Sequence, residues 1–266
     1  MNKATTEFEI KISSGRITNV NAVLENGICK LTIETVTQNE PVAATVAANT
    51  YLTDDFAFVE ASRLSLEDEF MKYNPRTERE KKFKKELTEV IKSGVKDFWR
   101  PKYDPSFNEE GTGICYEEGK KPAVGKSYNW WEKTAEAFCH EWQSHLGTKS
   151  EYVAFLGVLI KELVKSGWKV EKAWSTVCCD SKELGHYWDS KNAKHAFENT
   201  GSREVCGFFD NANTYKILAY DEEAGGFWLG GGGYYVNSFC YPLADLVRSD
   251  DRDDNLCNGV GWLVLY

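Results

Sequence analysis

Between Leu229 and Gly259 the chain contains no Glu, Lys, Met, Gln or Trp, although these five types make up about a quarter of its residues. Two apolar runs bracket that stretch, Gly226-Phe227-Trp228-Leu229 before it and Val260-Gly261-Trp262-Leu263-Val264-Leu265 after it. Short apolar runs bounded by glycine read as strands. The pattern calls for a fold in which buried strands hold a long irregular segment at the surface, where its backbone polar groups reach water.

The segment has a composition of its own. Tyr234, Tyr235, Phe239 and Tyr241 lie among Gly, Asn and Ser, the mixture found in paratopes, where rigid aromatic anchors sit beside short adaptable side chains. A core strand would alternate more strictly, and Asn237, Ser238 and Pro242 interrupt any alternation. The missing types fit an asparagine codon whose adenines are randomised. Such a codon yields Tyr, Asn, Ser, Asp, Gly, Phe, Cys and others but none of the five absent residues.

Gly230-Gly231-Gly232-Gly233-Tyr234, then Leu246-Val247-Arg248-Ser249-Asp250-Asp251-Arg252, then Val260-Gly261-Trp262-Leu263-Val264 resemble three segments of the formylglycine-generating-enzyme subgroup of C-type-lectin folds. In that subgroup an R-G-G-S-W strand, an R-S-x-x-R segment and a terminal G-F-R-V strand frame the site. More closely, the sequence resembles variable proteins of diversity-generating retroelements, in which adenine-directed mutagenesis rewrites this segment while the frame stays fixed. The resemblance covers about 99–266 and is specific from Trp228 onward. It departs at Gly230, where the family often has Arg, and at Trp262-Leu263, which replaces Phe-Arg.

The resemblance implies a variable region over about 229–265. Its ligand-binding positions would be Gly233, Tyr235, Val236, Asn237, Phe239, Cys240, Tyr241, Val247, Asp253, Asp254, Asn255, Leu256, Cys257 and Asn258. It implies a binder and not an enzyme, directed at a protein receptor on a cell surface. The setting would be a phage tail or a cell surface, with synthesis in the cytoplasm and homo-oligomerisation as an open possibility.

The remaining chain predicts an α+β protein. Residues 1–75 read as a small β-rich module for attachment or assembly, with Phe8, Ile10 and Ile12 alternating and Val23 to Val36 disposed around Asn26-Gly27. Residues 76–98 form a connecting helix, with Phe83, Leu87, Val90 and Ile91 on one face and Gly94 at its end. Residues 99–266 form the C-type-lectin-like domain, with two main helices beside short antiparallel strands. The first helix has a capping pattern at Asn129 and Glu132 and places Trp131, Ala135, Phe138, Trp142 and Leu146 at helical spacing. The second starts near Ser150 and buries Tyr152, Phe155, Leu156, Leu159 and Leu163, and a third, shorter helix spans about Val170 to Val177.

Charge and composition narrow the partners. A net charge of −9 argues against nucleic acid, and the basic run Arg79 to Lys85, which contains Glu80 and precedes Glu86, reads as a solvated helix face. No stretch approaches the ~20 apolar residues of a spanning helix, and Met1 to Ile10 is too polar for a secretory signal.

Two other functions remain open from the residues. A formylglycine-type oxidase needs paired thiols or a metal they bind, yet only Cys240 follows the glycine strand closely, with Tyr235 at the other cysteine position and Cys257 distant in sequence. A calcium-dependent lectin needs carboxylates and an open coordination position, and E-P-N, Q-P-D and W-N-D motifs are absent. The cluster Asp250, Asp251, Asp253 and Asp254 includes Arg252 and reads as a solvated turn. The eight cysteines make no repeated C-x-x-C pair, and His140, His145, His186 and His195 read as packing or surface residues. No cofactor is expected.

Overall fold

The computed structural model describes residues 16–25, 28–36, 55–109, 111, 113–179, 181–184, 200, 204–208, 216–221, 226–230, 234–235, 239–240, 243–244, 247–249 and 259–266. The chain divides into two units, Met1–Asp54 and Asp55–Tyr266. In the first, β1 (Arg16–Glu25) and β2 (Ile28–Val36) pair antiparallel, with Glu25 opposite Ile28 on either side of Asn26-Gly27. The register sets Val20, Ala22 and Leu24 opposite Ile33, Leu31 and Cys29, so apolar positions share one face. The strand expected at Phe8 to Ile12 lies outside the described residues.

The division falls before β3 (Phe56–Val59), not after Asn74-Pro75 as the sequence predicts. The reason is burial: Phe56, Val59, Phe70 and Met71 are core residues of the second unit. The helix expected as a connector belongs to the same core. Helix α1 (Glu78–Ser93) is capped by Thr77, whose side chain accepts from the Glu80 amide, and buries Phe83, Leu87 and Val90. Apolar side chains at that spacing gain roughly 1.5–3 kcal/mol each on full burial, which holds the helix against its own domain.

The second unit is α+β and is organised around α3 (Lys149–Lys165). Every residue from Glu151 to Ile160 is buried, as befits a helix that is apolar nearly all round. Thr148 and Glu151 form its capping box, so the helix begins at Lys149, one residue before the expected start near Ser150. Helix α4 (Val170–Cys178) follows, and its fully buried Trp174 donates from Nε1 to the Phe70 carbonyl at 2.8 Å while its ring meets Phe70, Tyr73 and Phe83.

Helix α2 (Tyr128–Phe138) is capped by Ser127 and not by Asn129, and it stops before Trp142 and Leu146. The chain is turned aside there. Ser144 Oγ donates to the Ala135 carbonyl and accepts from the Cys139 amide, both at 2.7 Å, while Gln143 takes a positive φ of 47°. Leu146 then enters a strand, β7 (His145–Leu146).

Strand β4 (Phe98–Pro101) pairs with β3, and β5 (Ser106–Phe107) with β6 (Ile114–Cys115), both antiparallel. Near the C-terminal end, β14 (Leu263–Val264) pairs with β7, and Leu265 exchanges both backbone hydrogen bonds with Trp99 of β4. Strand β4, early in the unit, and its last strand are thus neighbours. No helix among the described residues is long and apolar enough to cross a membrane.

Candidate ligand-binding site

Four strands form the sheet that carries the C-terminal segment: β8 (Lys216–Asp221), β9 (Gly226–Gly230), β12 (Val247–Ser249) and β13 (Gly259–Gly261), in the order β12-β9-β8-β13. Leu229 of β9 stands between Leu218 of β8 and Val247 of β12. The β13–β8 pair is parallel, which corrects the expectation of antiparallel strands throughout. The long connection between β8 and β13 is what permits it, since parallel neighbours need a crossover. The glycine strand, the Val-Arg-Ser segment and the terminal strand therefore meet in one sheet.

The end of that sheet is fixed by two close approaches. A Cβ on Gly261 would lie 2.4 Å from the Trp131 ring, and one on Gly147 would lie 2.3 Å from the Trp262 ring. Only glycine lets the indoles seat there. Trp262, 3% exposed, meets Phe98 and Tyr152 edge to face at centroid separations of 5.8 and 5.3 Å, and its carbonyl accepts from the Gly147 amide.

A third anchor divides the segment. Leu243 is 1% exposed; its amide donates to Ser181 Oγ at 2.9 Å, and its carbonyl accepts from the Tyr152 hydroxyl at 3.3 Å. Ser181 in turn donates to the Thr176 carbonyl at 2.9 Å, and the Ala244 amide reaches the Val177 carbonyl at 3.2 Å. The stretch read from sequence as one irregular loop is tied to α3 and α4 at its middle. Leu243-Ala244 was the available signal, an apolar pair after Pro242 that no surface loop requires.

Between β9 and this anchor lies the hairpin of β10 (Tyr234–Tyr235) and β11 (Phe239–Cys240), with Tyr235 opposite Phe239 and Tyr234 opposite Cys240. Two aromatic candidates and Cys240 are thus brought together. Val247 is placed differently, in a strand paired with Leu229. Gly233, Val236, Asn237, Tyr241, Asp253, Asp254, Asn255, Leu256, Cys257 and Asn258 lie outside the described residues, as do the acidic cluster at 250–254, His186 and His195.

One polar cluster was not anticipated. Glu151, 3% exposed, accepts from the Thr148 amide at 2.7 Å and from the Tyr266 hydroxyl. It also lies 3.1 Å from His145 Nε2, while His145 Nδ1 is 2.9 Å from the Gln143 carbonyl. Both neighbours of the imidazole are acceptors, so both ring nitrogens donate when it is protonated. Burial pushes the Glu151 carboxyl up, but the hydrogen bond and charge of His145, the Thr148 amide and the Tyr266 hydroxyl outweigh it and hold the group below its ordinary value. The Thr148-x-x-Glu151 pattern was the sequence signal. The cluster ties β7, the start of α3 and Tyr266 together.

Burial pushes the Cys178 thiol well up, with smaller contributions from Cys179 and Glu80, so Cys178 holds no ready thiolate. Among the described residues no group of three or more His, Cys, Asp or Glu is placed to hold a metal ion. Comparison with known protein families, curated proteins and solved structures finds no match to this chain.

Proposed function

We propose that the chain is a ligand-binding protein whose C-terminal segment is a hypervariable surface, diversified by a retroelement and displayed on a C-type-lectin-like scaffold of the formylglycine-generating-enzyme subgroup. One observation carries the reading. Parts of the three segments on which the resemblance rests, Gly230, Val247–Ser249 and Val260-Gly261, lie in strands of a single sheet, and the candidate positions other than Val247 fall between those strands in sequence.

A frame of that kind suits recognition. Backbone hydrogen bonds and buried indoles fix the strands, so side chains on the connections change at little cost to the fold. Tyr235 and Phe239, paired across the hairpin, supply rigid aromatic area of the sort that dominates binding energy, and Asn and Asp supply adjustable hydrogen bonds. The partner is a protein receptor on a cell surface, and the role is recognition and not catalysis. The oxidase alternative gains nothing from the register, since Tyr234 and not a second cysteine stands opposite Cys240.

The test is the DNA around the gene. The reading expects a near-copy of the codons for 229–265 that differs only where the copy has adenine, beside a reverse-transcriptase gene. If no such copy exists, the variable-surface reading fails, and calcium and thiol assays on the purified protein become the next measurements.

A further inference from the structure

Helix α1 presents a more basic face than its sequence implies. Of the two carboxylates that dilute the run Arg79–Lys85, Glu80 is 2% exposed and turned back to accept from the Arg76 and Thr77 amides at 2.6 and 2.8 Å. Glu86 pairs away from the run, with Lys149 of α3 at 3.5 Å. Neither offsets the outward lysines. Lys81, Lys84, Lys85 and Lys92 line, with Pro75 and Glu89, a depression of about 410 Å³. The Tyr73 carbonyl accepts from Lys84 Nζ at 2.5 Å and fixes that wall. Lys81 has an exposed pairing with Glu78, whereas Lys85 and Lys92 have no carboxylate partner among the described residues.

We propose that this depression binds a segment of an anionic polysaccharide. From Lys81 to Lys92 the row runs about 16 Å at the rise of an α-helix, enough for several successive charges. Glu89, in the same wall, favours a hydroxyl-bearing polyanion, since its carboxylate accepts from sugar hydroxyls that a phosphodiester backbone does not supply. Pro75 offers an apolar surface to the C–H face of a sugar ring. No aromatic side chain lines the depression for base stacking. Phe83, Leu87 and Val90 of α1 are buried and Ile91 packs against the core, so the lysine face offers no apolar side chain to a lipid surface. The site lies apart from the C-terminal segment and does not depend on the function proposed for it.

Binding of the full chain to labelled polygalacturonate, to oligothymidylate of matched charge and to phosphatidylserine vesicles tests this, at low and then at physiological salt. The expected result is polygalacturonate binding that weakens with salt and falls at least tenfold in the Lys81→Gln, Lys85→Gln, Lys92→Gln triple variant. Glu89→Ala, which removes the acceptor, should narrow the preference for polygalacturonate over oligothymidylate. Absence of polygalacturonate binding at low salt, an unaffected triple variant, or equal or tighter binding of oligothymidylate or vesicles overturns the proposal. Should the triple variant melt early, the Lys85→Gln and Glu89→Ala single variants decide by the same comparison.

Discussion

The Leu243 amide donates to the Ser181 hydroxyl at 2.9 Å in a fully buried hydrogen bond that joins the C-terminal segment to the end of α4. Ser181→Ala removes the acceptor and leaves a buried N–H without a partner, at a cost of about 1–3 kcal/mol. The expected signature is a lower urea midpoint together with faster hydrogen exchange at Leu243. A stability loss without faster exchange there would show that Ser181 acts elsewhere.

The His145–Glu151 contact makes a statement about pH. Glu151 has a lowered folded pKa, so its contribution is present above the unfolded value of about 4.3 and is lost as pH falls through the folded one. His145→Ala should therefore cost about 1–3 kcal/mol at pH 7. Urea titrations at successively lower pH from 7 check the sign: the gap between variant and wild type should narrow as pH falls through the folded Glu151 pKa, and a gap that stays constant down to acid unfolding would sink the ion-pair reading.

Two glycines should resist the smallest possible change. Gly→Ala commonly gains up to about 1 kcal/mol through the unfolded chain. At Gly147 and Gly261, however, the added methyl meets an indole at under 2.5 Å, and overpacking of about 1–3 kcal/mol outweighs the gain. Both variants should melt below wild type in a thermal scan.

A stabilising substitution is available at Cys206. It and Gly207 have φ of 55° and 83° and lie between Val205 and Phe208, whose backbones exchange hydrogen bonds, the geometry of a two-residue type I′ turn. Asn tolerates that region better than Cys. Cys206→Asn should raise stability by about 0.5–1 kcal/mol, read as a shift in the urea midpoint at an unchanged slope.

The proposed binding surface is separable from the fold. Tyr235→Ser and Phe239→Ser should each change stability by roughly 0.5 kcal/mol or less. Trp262→Ala, in the core, should cost about 3–5 kcal/mol. If the two hairpin substitutions unfold the protein instead, these residues belong to the frame and not to a variable face.

Local patterns were the legible part of this chain. The buried faces of α1 and α3, the end of α1 at Gly94 and the strands at 226–230 and 259–264 all follow from apolar spacing and punctuation. What escaped was decided by distant partners. Trp142 and Leu146 keep helical spacing with Trp131, but Ser144 folds the chain back before they can join α2. Leu243 looks like one apolar residue in a loop until Ser181 and Tyr152 arrive from elsewhere to bind it. Glu80 reads as part of a surface charge run, although its capping role turns it inward. The parallel β13–β8 pair had no local signal, because register between strands so far apart is set by the whole core.

The pairing of Trp99 with Leu265 has a consequence for synthesis. Strand β14 is the piece that both β4 and β7 require, so a nascent chain has no closed form of this sheet until β14 leaves the ribosome. A frameshift or premature stop between Gly230 and Gly259 deletes Trp262 and leaves Phe98, Gly147 and Tyr152 without the indole they surround. Such a product lacks the last strand and is exposed to proteases, whereas an in-frame exchange of side chains passes unnoticed. Under the proposed reading, the segment most subject to rewriting is followed by the one that checks whether the reading frame survived.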